Sequence, residues 1–134
     1  MSDLAAIREC VENWVVWRDA GDWERFATVW HADGWMTATW FQGPASEFIK
    51  VSREGFERGV NILHALNGWS CDVAGARAIS QAKMNIFQGA GGGSMEGIMT
   101  ARNSCRSKRC RILSKRARFI RLRRKSSPPA RPSA

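Results

Sequence analysis

Residues 17–34 read WRDAGDWERFATVWHADG, and this order of residues indicates two helices followed by a change of direction. Gly21 stands where a helix from the N-terminus should stop, because glycine readily adopts the left-handed conformation that follows a last helical turn. Asp22 can cap a second helix, whose apolar positions include Phe26. The closing residues 31–34 are predicted to form a turn. The segment therefore predicts a helix, a tight connection, a second helix and a turn.

The sequence on both sides extends this pattern. Upstream, residues 4–15 place apolar side chains at helical spacing, which predicts an amphipathic first helix. Downstream, residues 35–41 favour a short strand, and the Gly-Pro pair at 43–44 ends that strand and starts a third helix. Residues 60–71 and 79–87 then predict two antiparallel strands. This order predicts an α+β domain in which three N-terminal helices cover one face of a curved antiparallel sheet.

Charge and aromatic content divide the chain into two unlike parts. Residues 1–88 hold eight Lys or Arg against eleven Asp or Glu, and they hold all seven Trp. Residues 89–134 hold thirteen Lys or Arg against a single Glu, and only one of the six Phe. A folded core needs large apolar side chains, so only the first part is expected to be globular. We therefore expect a domain over residues 1–88, a Gly-rich linker over 89–101 and a basic tail over 102–134.

Several short motifs of the first part stand in the order and spacing of a known family. They are Trp17-Arg18-Asp19, Gly21-Asp22-Trp23-Glu24-Arg25-Phe26, Trp30-His31-Ala32-Asp33-Gly34, the Gly43-Pro44 pair and His64. Through these residues the segment 4–88 resembles the SnoaL-like families of the nuclear transport factor 2 superfamily. The resemblance implies a cone-shaped α+β barrel around an apolar pocket. Members of these families include dehydratases, a dehydrochlorinase and polyketide cyclases, together with many members of no known activity.

The resemblance also implies a catalytic pair. In the dehydratase and dehydrochlorinase branch, an Asp near the end of the first helix pairs with a His on the strand after the third helix. Asp19 and His64 occupy those positions here. A neutral imidazole can remove a proton from carbon near pH 7, and a buried carboxylate fixes its tautomer. The implied function is a cofactor-independent lyase or isomerase acting on a small apolar molecule, in a pocket that we expect to be lined by Trp14, Trp17, Trp35 and Trp40.

Other interpretations of the same residues stay open. Asp19 could form a helix-end salt bridge with Arg18 or Arg25, and the tryptophans could form the core. The second candidate function is a non-catalytic ligand-binding or dimerisation module of the same fold. The sequence predicts no metal site and no cofactor: Cys105 and Cys110 lack the further Cys or His ligands of a zinc site, and the glycine run lacks the Lys of a P-loop.

The basic tail has three interpretations. The twelve Lys and Arg between residues 102 and 125 could bind nucleic-acid phosphates, or the same segment could form a membrane-surface helix. In the third interpretation the tail is translated out of frame, because Arg, Ser, Pro, Ala and Gly dominate it, as in a shifted reading of GC-rich codons. The tail also begins where the last two strands of the family should start. We favour the third interpretation, which predicts that the domain lacks those two strands.

The remaining expectations concern compartment and assembly. No basic segment followed by an apolar run opens the chain, and no apolar stretch is long enough to span a bilayer, so we expect a cytoplasmic protein. Cys10 and Cys71 are predicted to be reduced, buried small apolar residues. The resemblance adds a possible homodimer, and nucleic acid is expected as a partner only through the tail.

Overall fold

The computed structural model describes residues 2–38, 40–89, 94–106 and 109–123. Within these residues the chain forms three helices and one six-stranded sheet. The helices are α1 (Asp3–Ala20), α2 (Trp23–Thr28) and α3 (Ala45–Glu57). The strands are β1 (Trp30–Thr37), β2 (Gln42–Pro44), β3 (Ile62–Ala74), β4 (Arg77–Gln88), β5 (Ser94–Arg106) and β6 (Arg109–Arg123).

The boundaries of the first two helices follow from their capping residues. The Ser2 side chain accepts a hydrogen bond from the Ala5 N–H at 3.2 Å, which satisfies a free donor in the first turn of α1. Gly21 ends α1 in the left-handed conformation, with φ of 72°. Asp22 then caps α2 by accepting from the Arg25 N–H at 3.2 Å. No helix among the described residues combines the length and the apolar character that a bilayer crossing needs.

The strands form a curved sheet in the order β2-β1-β6-β5-β4-β3. Strands β3 to β6 make an antiparallel meander, and β1 pairs with β2 in the antiparallel sense. β1 and β6 run parallel, so the sheet is mixed and not wholly antiparallel as expected. The helix α1 packs against β3 and β6. The predicted α+β architecture, with its helices before the long strands, is confirmed.

The turn expected at residues 31–34 is instead part of β1. The pairing of β1 with β6 shifts register between Trp30 and Trp35, which marks a bulge where the sequence suggested a turn. The His31 ring stabilises this bulge locally, because its Nδ1 lies 3.1 Å from the Asp33 backbone nitrogen and accepts its N–H. Turn-favouring residues therefore distort a strand here without ending it.

The structure also differs from the expectation after Gln88, where no strand was expected. Residues 94–101 of the expected linker lie in β5, and much of the expected basic tail lies in β5 and β6. A signal for β6 exists in the sequence, because Arg and apolar residues alternate through Arg116-Ala117-Arg118-Phe119 and Arg121-Leu122-Arg123. The high Lys and Arg content led to the prediction of a basic tail, although the two-residue period favoured a strand. Residues 90–93 of the linker and 124–134 of the tail lie outside the described residues.

The core lies between the helices and the sheet, with Trp14 near its centre. The centroid of the Trp14 ring lies 5.4 Å from that of Phe26, 6.5 Å from Trp30 and 6.1 Å from Phe48. These aromatic contacts form the centre of the apolar core on the helical side. From the sheet side β6 contributes Ile112, which is 1% exposed. The core therefore takes residues from both parts of the chain.

Candidate active site

Asp19 and His64 lie side by side, at the end of α1 and near the start of β3. The His64 Nδ1 atom lies 2.7 Å from Asp19 Oδ1, and the His64 backbone N–H donates to Asp19 Oδ2 over 2.6 Å. The side chains of His64 and Asp19 are 7% and 10% exposed, respectively. One carboxylate therefore holds both the ring and the backbone of His64. Because Nδ1 faces the carboxylate, the neutral ring carries its proton there and leaves Nε2 as the basic nitrogen.

Burial determines the charge state of His64. Desolvation is the main cause that lowers the pKa of His64 below its ordinary value, and the charges of Arg18 and Lys115 act in the same direction. The hydrogen bond to Asp19 and its negative charge oppose that shift. Because desolvation prevails, the imidazole is neutral near pH 7, which is the form that accepts a proton.

The position of His64 follows from the two-residue period of β3. Ile62 and Leu66, on the same face of the strand, are partly buried and pack against the core. The face of β3 that carries Ile62, His64 and Leu66 is therefore the inner face of the sheet. The edge of the His64 ring also meets Trp14, with ring centroids 5.4 Å apart. Core packing and the Asp19 carboxylate together fix the ring.

A pocket of about 320 Å³ lies next to this pair. Its walls include Arg18 from α1, Ser52 and Phe56 from α3, and Ile62 from β3, and Trp40 lies at its rim. Arg18 links the pocket to the pair, because its Nη1 atom is 3.9 Å from Asp19 Oδ1. Of the two salt bridges considered for Asp19, the one with Arg18 is thus present, at a long distance. Arg25 instead pairs with Asp22 at 3.6 Å.

The four tryptophans expected to line a pocket lie in different environments. Trp40 is 57% exposed and borders the pocket. Trp14 is 2% exposed in the core, and Trp17 is partly buried against the core. Trp35 is 44% exposed on β1. Of these four residues, Trp40 is the one that borders this pocket, while Trp14 supports the His64 ring from inside the core.

The amino-acid sequence from residue 1 to residue 110 matches the family model of the SnoaL-like domain. The chain belongs to the SnoaL-like domain family. Pea pathogenicity protein 2 from Fusarium vanettenii is 35% identical to this SnoaL-like chain over 85 residues, which are 61% of the chain and 36% of that protein. An uncharacterised protein of Aspergillus terreus is 35% identical over 94 residues, 65% of this chain and 35% of that protein. The chain spans about a third of the length of these relatives.

Solved structures show the same fold at low sequence identity. A putative scytalone dehydratase from Novosphingobium aromaticivorans superimposes with a TM-score of 0.80 at 13% identity, over 94% of this chain and 89% of that one. The type 3 hexachlorocyclohexane dehydrochlorinase from Novosphingobium barchaimii gives 0.75 at 17% identity, over 96% of this chain and 100% of that one. These likenesses establish the fold of the SnoaL-like chain. They do not assign a substrate to it.

Sequence reasoning did not assign three residues of this region to a site, and one of them, Arg18, left a signal in the sequence. Arg18 lies on the buried stripe of α1 that also carries Val11 and Trp14, so a cation there is an anomaly in the apolar pattern. Lys115 lies in β6 and is 2% exposed, with its ammonium group over the Trp14 ring. Ser52 is 5% exposed on α3, and a single serine in a helix gives no comparable signal.

No cysteine is among the residues described as lining the pocket. Cys10 and Cys71 are free; Cys10 is buried and Cys71 is half-buried, so full burial holds for Cys10 alone. Burial raises the pKa of the Cys10 thiol to about 12, which keeps it protonated and unreactive. Cys110 is disulfide-bonded. Within the described ranges no group of three or more His, Cys, Asp or Glu side chains is arranged to hold a metal ion.

Proposed function

We propose that this SnoaL-like domain is a cofactor-independent lyase or isomerase that uses Asp19 and His64 on a small, mainly apolar substrate. The observation that carries the proposal is the 2.7 Å contact between His64 Nδ1 and Asp19 Oδ1 at a buried position. A general base needs a fixed tautomer and a free nitrogen, and this contact supplies both.

The proposed reaction begins with proton transfer from a substrate carbon to His64 Nε2. In an elimination, the electron pair of the broken C–H bond becomes the new C=C bond, and the leaving group departs with the electrons of its own bond. In loss of water, the imidazolium returns its proton to the departing hydroxyl group. In an isomerisation, it returns the proton to another carbon. Asp19 stabilises the imidazolium in each case, because its carboxylate lies against Nδ1.

The experiment compares two variants of the pair with a matched histidine control. His64→Ala and Asp19→Asn are expected to lower kcat/KM for a dehydratable β-hydroxy ketone by about 100-fold or more, the range of a positioned acid or base. The control is His31→Ala, because the His31 side chain bonds to Asp33 in the β1 bulge and is not among the residues described as lining the pocket, so kcat/KM should stay unchanged. Circular dichroism checks that all variants fold. Equal turnover by the wild type and His64→Ala would overturn the proposal.

The second candidate is a non-catalytic ligand-binding module, and a specific observation favours it. Asp19 and His64 are nearly buried, and neither is among the residues that line the pocket beside them. In this alternative the pair joins α1 to β3 and the pocket binds a ligand without reaction. Retained ligand affinity together with undetectable turnover in the wild type would identify the module.

A further inference from the structure

The pocket beside the pair has an apolar rim and a polar, cationic interior. Trp40, Phe56 and Val60 stand at the rim and are 57%, 41% and 40% exposed. Arg18 and Ser52 lie deeper and are 8% and 5% exposed. A ligand that fits this arrangement enters with a polar group first and leaves its apolar body toward the rim.

Arg18 is a buried cation with weak pairing. Its one ion pair within the described part of the chain is the 3.9 Å contact with Asp19, and the Asp19 carboxylate already accepts two short hydrogen bonds from His64. The guanidinium of arginine stays charged in proteins, and a buried charge is stable only with good partners. Arg18 lines the pocket, so an anion bound there would reach a partner-poor guanidinium.

Ser52 is a second buried polar residue in this pocket that lacks hydrogen-bond partners among the described residues. Its hydroxyl oxygen is fully buried and has no hydrogen-bond partner among the described residues. Arg58 adds another cation to the wall, and none of the residues described as lining the pocket is acidic. An unpaired buried hydroxyl and two guanidinium groups in one pocket are complementary to an acceptor of negative charge.

We propose that the pocket binds the carboxylate of a small, mainly apolar organic acid, held by Arg18 and Ser52, with its apolar body against Trp40, Phe56 and Ile62. The planar fork of a guanidinium matches a carboxylate in two parallel hydrogen bonds. A volume of about 320 Å³ is at the lower end for ligand pockets, which fits an acid with one or two rings. The proposal rests on the proposed function in one respect: it names the substrate class of the same site.

The location of the pocket relates the acid to the catalytic pair. Ile62 precedes His64 by two residues on the inner face of β3, a distance of about 6.6 Å along the strand. Arg18 contacts Asp19 and lines the pocket at the same time. A carboxylate on Arg18 would therefore place the apolar body of the acid within a few atoms of the imidazole.

The test measures binding of 1-naphthoate and 1-naphthamide by isothermal titration calorimetry. The two probes share shape and apolar area and differ in charge. The wild type is expected to bind the carboxylate about tenfold or more tightly than the amide, because charge-assisted hydrogen bonds are the stronger ones. Arg18→Met should reduce this preference to less than about threefold, and Ser52→Ala should weaken naphthoate binding several-fold. Equal affinity of the wild type for both probes would overturn the proposal, as would a preference that survives in Arg18→Met.

Two further variants keep the test decisive if Arg18→Met does not fold. Gly55→Leu places a side chain in the pocket, where a Cβ on Gly55 meets Val60 at an ordinary 3.8 Å, and it should weaken both probes. Arg53→Met removes a guanidinium that pairs with Glu57 on the exposed side of α3, and it should change neither affinity. Unchanged binding in Gly55→Leu would show that the probe binds elsewhere and would reject the pocket.

The failure of this inference can be told apart from failure of the proposed function. His64→Ala should bind naphthoate as the wild type does, since His64 is not one of the residues that line the pocket. A carboxylate preference that depends on Arg18 in a protein without turnover supports the acid site and contradicts the lyase proposal. Turnover of an uncharged ketone without any carboxylate preference supports the lyase and contradicts the acid site.

Discussion

The helical side of the core and its β5–β6 side are built from unlike residues, and they differ in where an unpaired buried polar group of the described residues lies: Ser52 of α3 belongs to a pocket wall, whereas the Lys115 amine of β6 lies over the Trp14 ring. On the helical side, Asp19 and His64 are each held by short hydrogen bonds. On the β5–β6 side, Asn103 Oδ1 accepts a hydrogen bond from Ser80 Oγ of β4 at 3.0 Å, but Asn103 Nδ2 has no partner among the described residues. The Lys115 ammonium group also lacks a hydrogen-bond partner there. An alternating pattern of residues can thus place a strand in a sheet even where some of its buried side chains lack hydrogen-bond partners.

This difference bears on the origin of the tail. A two-residue period arises easily in a sequence rich in Arg and small residues, whereas partners for buried polar groups do not. An unpaired polar atom alone does not mark such a segment, because Ser52 and Trp30 carry one as well, but a lysine that is 2% exposed against the Trp14 ring is a feature expected of a segment that was not selected for this core. The out-of-frame interpretation stays a prediction: one alternative frame after codon 88 should encode two strands of alternating pattern that carry aromatic residues. Sequencing the coding DNA decides it, and the absence of such strands in both other frames would reject it.

Replacing Lys115 tests the β5–β6 side of the comparison and should give the largest effect on stability. Lys115→Met keeps the length of the side chain and removes a buried amine that has no hydrogen-bond partner among the described residues, so we expect stabilisation by about 1–3 kcal/mol, the cost of an unsatisfied buried polar group. Denaturation in urea measures the free energy of unfolding. The matched control is Lys83→Met on the exposed face of β4, which should change the free energy of unfolding by less than about 0.5 kcal/mol. Destabilisation by Lys115→Met would mean that the amine has a favourable role in the core.

The same variant should change the pH dependence of stability above neutrality. Burial is the main cause that lowers the pKa of Lys115 well below its ordinary value, and Arg18 adds to the shift. Between the low folded pKa and about 10.4, the unfolded chain binds more protons at this residue than the folded chain, so stability rises with pH. Unfolding free energies measured from pH 7 to 10 should rise in the wild type and stay flatter in Lys115→Met. Parallel slopes would contradict the burial of a neutral amine.

The helical side of the comparison has its own pH dependence, below neutrality. Burial lowers the pKa of His64, so the unfolded chain binds the proton first and stability falls as the pH drops below about 6.5. One such group contributes at most about 1.4 kcal/mol per pH unit. We expect His64→Gln to flatten the unfolding free energy between pH 6.5 and 5.5. The control is His31→Gln, which replaces the half-exposed histidine of β1 and should keep the wild-type slope. A wild-type slope in His64→Gln would show that another group controls this range.

The two sides of the core also differ in how much of them the sequence predicted. Local signals identified the caps at Asp22 and Gly21 and the β3–β4 pair, because these depend on neighbouring residues. The pairing of Asp19 with His64 came from resemblance to a family, since no local rule joins residues 45 positions apart. The roles of Arg18 and Ser52 depend on the shape of a pocket between α1, α3 and β3. That shape is a tertiary property, so the sequence could only mark Arg18 as an anomaly.

The last comparison concerns the connection that ends α1 just after Asp19. Gly21 has a φ of 72°, and a Cβ there would lie 2.6 Å from the Phe56 Cζ atom. Gly75, in the β3–β4 turn, has a φ of 59° and open space around a Cβ. Gly75→Ala should therefore cost about 1 kcal/mol of backbone strain alone, and Gly21→Ala about 2 kcal/mol because the Phe56 ring must also move.

Urea denaturation of the two alanine variants gives both costs, and their difference isolates the contact with Phe56. Because Phe56 also lines the pocket, Gly21→Ala should weaken 1-naphthoate binding while Gly75→Ala leaves it unchanged. Equal losses of stability in the two variants would mean that the exposed Phe56 ring swings aside without cost. The connection after Asp19 would then tolerate a side chain as well as the β3–β4 turn does, and the contact between residue 21 and Phe56 would not constrain α1.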